Sequence, residues 1–173
     1  MLQPAGVVDM VFNTDNSYVP GQARRYNPRG VEIRDITRPI SMGAGGWIGS
    51  APDLVRLLCH ISGALQPPLL TPDLRARMLA PPSAPLAVRP NGTWFGMGWD
   101  VVRAGPYGDN FEKDGGNLGV HTIVQHLAAG FDIALLFNGA DEAPSGDREV
   151  GQGLARVREA LLKTPIAWPA PPQ

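Results

Sequence analysis

The residues best suited to chemistry are four consecutive ones, Lys113, Asp114, Gly115 and Gly116. Glycine has no Cβ atom, so another group can approach the backbone closely at positions 115 and 116. Lys113 places a cation beside that backbone. The pattern predicts a strand edge that receives an anionic or carbonyl ligand. The alternative is a glycine-bearing bulge in a sheet, with Lys113 as an ordinary solvated charge.

The histidines and the cysteine do not form a metal or disulfide pattern. Cys59 is the single cysteine, which excludes an internal disulfide and a cysteine-based zinc site. His121 and His126 lie five residues apart in a predicted strand, so their side chains point to opposite faces and cannot share a metal without a bulge. His60 and Cys59 lie in a predicted amphipathic helix, where packing explains both. We therefore expect no cofactor, and a metal hydrolase is disfavoured.

The elements that must position Lys113 to Gly116 are antiparallel strands on either side of them. Gly119 to Leu127 and Phe131 to Asn138 predict two adjacent core strands, joined by a turn at Ala128-Ala129-Gly130. Glycines alternating with large side chains predict a third strand over Phe95 to Val102, with another element packed closely over the glycines.

Local signals predict three helices, over Ala51 to Ser62, from the cap Thr71 to the residue before Pro81, and over Asp147 to Lys163. The first has a capping box formed by Ser50 and Asp53, and it ends at Gly63. The last has acidic residues at its start and Lys163 at its end, in accord with the helix dipole. We expect this closing helix to cover one face of the sheet.

Length and composition place the chain among ordinary globular proteins. Its 173 residues suffice for one domain or part of one, with 43% hydrophobic and 18% charged residues. The formal net charge of -1 gives no basic field, so nucleic acid is disfavoured as a partner. No segment has the length of a membrane-spanning helix.

The predicted organisation is a single partial domain of the α+β class, an antiparallel sheet with covering helices. It comprises an irregular segment over 1–40 with a short strand at Gly30 to Ile36, helices and sheet over 41–163, and a disordered tail over 164–173. An irregular segment of that length usually covers a site or leans on a neighbour. We therefore expect that part of the protein precedes Met1.

Four ordered segments carry a family resemblance: Leu2-Gln3-Pro4-Ala5-Gly6 with Met10, Gly43-Ala44-Gly45-Gly46-Trp47 through Leu54, Phe95-Gly96-Met97-Gly98-Trp99, and Lys113-Asp114-Gly115-Gly116-Asn117-Leu118-Gly119. Together they resemble the serine β-lactamase and penicillin-binding-protein family, most closely its class C β-lactamase, esterase and D-alanyl-D-alanine peptidase branch. The resemblance implies the C-terminal portion of the β-lactamase/transpeptidase-like fold and serine-dependent acyl transfer on an amide or ester. It also implies that Lys113 supplies positive potential and that the Gly116 N–H is an oxyanion donor.

The departures from the family pattern limit what this chain does alone. No serine is followed three residues later by lysine, and the family's Tyr-x-Asn element is missing. The resemblance therefore implies a C-terminal segment with no catalytic residue, inactive by itself. Asp114 stands where the family has Thr or Ser, and its charge would repel a substrate carboxylate.

The alternative to a hydrolase segment is a non-catalytic binding or interaction module derived from the same fold. In either case we expect a small amide or ester as the ligand. We also expect either self-association or a missing N-terminal half.

Overall fold

The computed structural model describes residues 2–12, 18–33, 45–83, 88–103, 108–117, 119–139, 152–153, 155–157, 159–161 and 163–164. Along the chain its named elements are β1 (Val11–Phe12), β2 (Arg25–Tyr26), β3 (Glu32–Ile33), β4 (Trp47–Ile48), α1 (Ala51–Ser62), α2 (Pro72–Leu79), β5 (Thr93–Phe95), β6 (Asp100–Arg103), β7 (Asp109–Asn117), β8 (Val120–Leu127) and β9 (Phe131–Phe137). The last five strands form one antiparallel sheet in the order β5-β6-β7-β8-β9. The α+β class is as predicted.

Helix α1 forms where its local signals predict, from Ala51 to Ser62. The Ser50 hydroxyl accepts the Asp53 N–H at 3.3 Å, and the Asp53 carboxylate accepts the Ser50 N–H at 3.3 Å. Gly63 ends the helix in the left-handed region at φ +84°, where glycine has no Cβ penalty. The apolar face of α1 packs on β8 and β9.

Helix α2 is also confirmed, with Thr71 as its cap. The Thr71 hydroxyl accepts the Leu74 N–H at 3.3 Å. At the other end, the Leu79 carbonyl accepts the indole N–H of Trp94 at 2.8 Å. This bond fixes α2 against β5.

The predicted single strand over Phe95 to Val102 is wrong, because the chain turns back on itself there and forms the β5–β6 hairpin. The Gly96 N–H donates to the Trp99 carbonyl at 2.8 Å, and the Met97 N–H donates to the Met78 carbonyl of α2 at 2.8 Å. A Cβ atom on Gly96 would lie 2.5 Å from that same Met78 oxygen. The predicted close packing over a glycine is therefore confirmed at Gly96, and the contact also stabilises the turn.

Strands β7, β8 and β9 form consecutive hairpins. The β7–β8 register runs without a skipped residue from Phe111 opposite His126 to Asn117 opposite Val120, so the alternative of a glycine bulge is wrong. The β8–β9 hairpin matches the two predicted core strands to within a residue at their ends. Its turn is also as predicted, with Gly130 at φ +100°.

The core lies between the helices and one face of the sheet. It is formed by Leu58 and Ile61 of α1 with Trp94, Val101 and Phe111 of the sheet. Along β8 the side chains alternate, with His121, Ile123, Gln125 and Leu127 buried and the residues between them half-buried. Val124, one of the half-buried residues, packs against the core. Side chains on both faces of β8 are therefore packed at this level.

The segment over 1–40 contains little regular structure where it is described. Residues Gln3–Ala5 form a 3₁₀ turn, β1 pairs with β4, and β2 pairs with β3. Strand β3 falls within the predicted strand at Gly30 to Ile36, although residues 34–44 lie outside the described part of the chain.

The closing helix is described only in part. The described residues of 152–163 are helical, and their side chains are exposed except for half-buried Leu161. Residues 140–151 and 165–173, and with them the predicted helix start and the tail, lie outside the described residues. Within the parts that are described, no helix is long and apolar enough to cross a lipid bilayer.

Candidate functional site

The residues Lys113 to Gly116 lie together on β7, at a place where one edge of the strand loses its partner. Strand β6 pairs with β7 only from Asp109 to Glu112, whereas β8 pairs with β7 from Phe111 to Asn117. On the β6 side, residues 113–117 therefore have no strand partner among the described residues. We refer to this stretch as the open edge of β7.

The backbone groups that face the open edge follow from the strand pattern. The Thr122 hydroxyl of β8 donates to the Gly115 carbonyl at 3.3 Å, so the backbone of Gly115 faces β8. In an antiparallel strand, successive residues direct their N–H and C=O groups to opposite sides. Asp114 and Gly116 therefore direct theirs to the open edge, where a bound group can reach them.

The two glycines keep this edge accessible. Gly115 and Gly116 are both exposed. A Cβ atom at Gly115 would lie 3.3 Å from the Thr122 hydroxyl, and one at Gly116 would lie 3.6 Å from the His121 ring. No backbone atom obstructs either position as closely as at Gly96. The two glycines therefore leave the strand accessible to a ligand, and the fold does not require glycine at either position.

Lys113 is close to two groups that set its surroundings. Its Nζ lies 3.1 Å from the Asp114 carboxylate and 5.9 Å from the centre of the Phe95 ring. Lys113 and Asp114 are largely exposed, with 44% and 61% of their side chains accessible, so the pair adds little stability. Asp114 does reduce the positive potential that Lys113 places beside the open edge. Phe95 was not identified from the sequence as a neighbour of Lys113, because its approach to Lys113 depends on the β5–β6 turn.

A second group of polar side chains lies where α1 meets β8 and β9. The Asp132 carboxylate receives the Ser62 hydroxyl at 3.0 Å and lies 2.8 Å from Nδ1 of His126. The Asp132 side chain is only 6% exposed. Burial, and then hydrogen bonding to Asp132, raises the pKa of the Cys59 thiol to about 12. Cys59 is therefore a protonated packing residue at neutral pH.

The histidines are placed as the strand period predicts. His121 lies on the buried face of β8, while His126 lies on the other face and stacks on Phe111 at 4.7 Å between ring centres. In the part of the chain that is described, no three His, Cys, Asp or Glu side chains are arranged to hold a metal ion.

Comparisons with known proteins agree with this arrangement of elements. A solved structure described as "Crystal structure of SurE" matches the whole chain with a TM-score of 0.66 and 24% sequence identity. At that identity the likeness shows the fold alone. The chain spans 41% of the length of that protein. A search of curated proteins gave no match.

The family assignment rests on a match over most of the sequence. The family model named Beta-lactamase matches residues 1–156 of the 173 residues. That range includes the helices α1 and α2, the complete five-stranded sheet and the open edge of β7. The chain therefore belongs to the Beta-lactamase family, a serine hydrolase-like family.

Proposed function

We propose that this chain supplies the substrate-binding strand of a serine hydrolase that transfers the acyl group of an amide or ester. The observation that carries the proposal is the open edge of β7, residues 113–117, with its two exposed glycines and Lys113 beside it. An extended ligand that lies along such an edge pairs with it as an added strand. Its carbonyl oxygen then meets a backbone N–H that points outward.

The reacting carbonyl would be polarised by the Gly116 N–H, which faces the open edge. A hydrogen-bond donor aimed at the oxygen of a tetrahedral intermediate stabilises the negative charge that develops there. Lys113 adds positive potential to the same region. Both groups bind and orient a substrate, but neither attacks it.

The nucleophile is expected from residues outside this sequence. None of the six serines, at positions 17, 41, 50, 62, 83 and 145, is followed three residues later by lysine. Of the three described serines, Ser50 belongs to the α1 capping box, Ser62 donates to Asp132, and Ser83 is exposed. A serine without a neighbouring base is a weak nucleophile. The chain by itself should therefore bind an amide or ester substrate but not hydrolyse it.

One observation favours the alternative, a binding module without catalytic activity. Asp114 lies 3.1 Å from Lys113 and reduces the positive potential that an anionic substrate would need. Genomic DNA immediately upstream of Met1 distinguishes the two possibilities. An in-frame Ser-x-x-Lys there supports the hydrolase, and a stop codon with no such element supports the binding module.

The binding role is tested by titrating the ¹⁵N-labelled chain with N-acetylglycine methyl ester. We expect saturable shifts of the Asp114 and Gly116 amides, which face the open edge, and smaller shifts of Lys113 and Gly115, which face β8. Shifts of equal size on all four, or shifts confined to other elements, would count against the proposal.

Nitrocefin and p-nitrophenyl acetate should not be hydrolysed above the solvent rate. A covalent adduct in mass spectrometry would contradict the absence of a nucleophile.

A further inference from the structure

A cleft of about 460 Å³ lies between α2 and the other end of strand β7. Polar and apolar groups contribute about equally to its surface, and the charged or polar side chains that line it include Arg75, Asp109 and His126. Asp109 is separated from Lys113 by about 13 Å along the strand, at 3.3 Å per residue. The cleft is therefore distinct from the open edge of β7, and the function proposed above does not use it.

The imidazole of His126 is held in a fixed orientation at this cleft. Its Nδ1 lies 2.8 Å from the buried Asp132 carboxylate, and its ring stacks on Phe111 at 4.7 Å. An ionised carboxylate only accepts hydrogen bonds, so in the neutral form of the ring the proton is on Nδ1. Nε2 then carries the lone pair, and no described residue bonds to it. His126 thus presents an acceptor that nothing in the described chain satisfies.

Arg75 brings a cation to the same cleft. It is half-buried, and no ion pair or hydrogen bond links its side chain to any described residue. One of its guanidinium nitrogens lies beside Gly63, at the end of α1, 3.0 Å from where a Cβ atom would stand. Ser62, the preceding residue, donates to Asp132. The Arg75 guanidinium and the His126–Asp132 pair therefore both lie near the C-terminal end of α1.

We propose that this cleft binds a phosphate group that carries a proton, as inorganic phosphate and phosphate monoesters do near neutral pH. Arg75 pairs with the charged oxygens, which suit the planar guanidinium. The P–OH group donates to Nε2 of His126. Sulfate and carboxylate ions have no such proton. Their oxygen atoms would face the lone pair of Nε2 and could not form a hydrogen bond with it.

The remaining lining residues bear on the ligand's size and charge. Pro72, Ala76, Leu79, Ala80, Pro81 and Ala128 are apolar and offer contact to an organic group attached to the phosphate. Asp109 also lines the cleft and has an interaction of its own within the protein. Its charge opposes a dianion more than a monoanion. The cleft therefore favours a singly charged phosphate monoester.

The test is an NMR titration of the purified chain with inorganic phosphate, sulfate, acetate and phenyl phosphate. Phosphate should cause saturable shifts at Arg75 and His126 and bind about tenfold more tightly than sulfate or acetate, because it alone satisfies Nε2. Phenyl phosphate that binds more tightly than phosphate indicates a monoester ligand. Equal affinity for the two indicates the free anion. Equal binding of phosphate and sulfate, or no saturable binding of phosphate, would overturn the proposal.

Two variants and a matched control separate this site from a general surface charge. Arg75→Gln should weaken phosphate binding about tenfold or more, whereas Arg77→Gln, on the same helix and exposed, should not change it. His126→Asn keeps a donor for Asp132 but removes the Nε2 acceptor. It should abolish the preference for phosphate over sulfate. An equal loss of phosphate affinity in Arg75→Gln and Arg77→Gln would refute the site, even if His126→Asn does not fold.

Discussion

The carbonyl oxygen of Met78 lies 2.5 Å from the position that a Cβ atom on Gly96 would occupy. The same oxygen accepts the Met97 N–H at 2.8 Å. This contact joins the end of α2 to the turn between β5 and β6. Because the obstructing atom belongs to a backbone, it cannot rotate away as a side chain would. Glycine is therefore required at position 96.

Gly96→Ala should lower the free energy of unfolding by about 1–3 kcal/mol, the usual effect of overpacking. Urea denaturation with a two-state fit measures the change. Gly153→Ala is the control, since Gly153 is helical and a Cβ atom there would meet nothing within 4 Å. Equal stability of the two variants would show that the turn moves away from α2 without cost.

Asp132→Asn should destabilise the fold, because the Asp132 carboxylate accepts hydrogen bonds from donors on different elements. The Ser62 hydroxyl and the His126 ring both point at its carboxylate, and an amide cannot accept from both with the same geometry. A buried donor left without a partner costs about 1–3 kcal/mol. Asp73→Asn, an exposed acid in the first turn of α2, should change stability by only a few tenths of a kcal/mol. A similar small change in Asp132→Asn would show that the pair is dispensable.

The thiol of Cys59 should resist alkylation in the folded protein. Burial and then Asp132 raise its pKa from 9.0 to about 12, and only the thiolate reacts readily. Iodoacetamide labelling followed by mass spectrometry at pH 8 should be much slower than in urea. Labelling at the same rate with and without urea would show an accessible, ionised thiol.

The same shift makes stability depend on pH in the alkaline range. The folded state keeps the Cys59 proton up to about pH 12, while the unfolded chain loses it near 9.0. This stabilising contribution is complete below pH 9 and is lost as pH rises towards 12. Cys59→Ala should show a weaker dependence on pH over that interval.

The parts of the fold that the sequence predicts are those with local signals. The capping residue Ser50 and the terminal Gly63 define α1 without help from the rest of the chain, and the apolar runs around Gly130 define the β8–β9 hairpin. The β5–β6 turn was missed because its Met97 N–H is satisfied by Met78, which belongs to another element. Hydrophobic pattern alone does not report such a contact.

The candidate site was predicted in part for a similar reason. Lys113 to Gly116 could be identified from residue type, and they do lie on one strand. The open edge could not be predicted, because it depends on β6 pairing no further than Glu112. The position of Asp132 beside His126 depends on the β8–β9 register, which places the two residues opposite each other.

Asp114→Thr should change which ligands bind to the open edge of β7. The substitution removes a negative charge 3.1 Å from Lys113, so a ligand carboxylate no longer meets repulsion there. At a separation near 4 Å that repulsion is about 1–4 kcal/mol. N-acetylglycine should therefore bind the variant about fivefold or more tightly than the parent, with N-acetylglycine methyl ester little changed. NMR titration measures both ligands, and Asp73→Thr should leave both affinities as they are.

Strand β9 provides the reason to expect self-association of the purified chain. Among the described residues, β9 pairs with β8 on one side and with no strand on the other over Phe131–Phe137, although Tyr26 of β2 forms a bridge with Gly139 just beyond its end. Leu136 and Phe137 at its end are 38% and 39% exposed. An unpaired edge with apolar side chains favours pairing with a second chain, and burial contributes about 25 cal/mol for each Å² removed from water. Light scattering should give a mass above the 18.5 kDa of one chain.

Leu136→Lys should shift the equilibrium towards monomer, whereas Leu74→Lys on α2 should not. A monomeric parent at high concentration, or equal effects of the two substitutions, would exclude β9 as the associating edge.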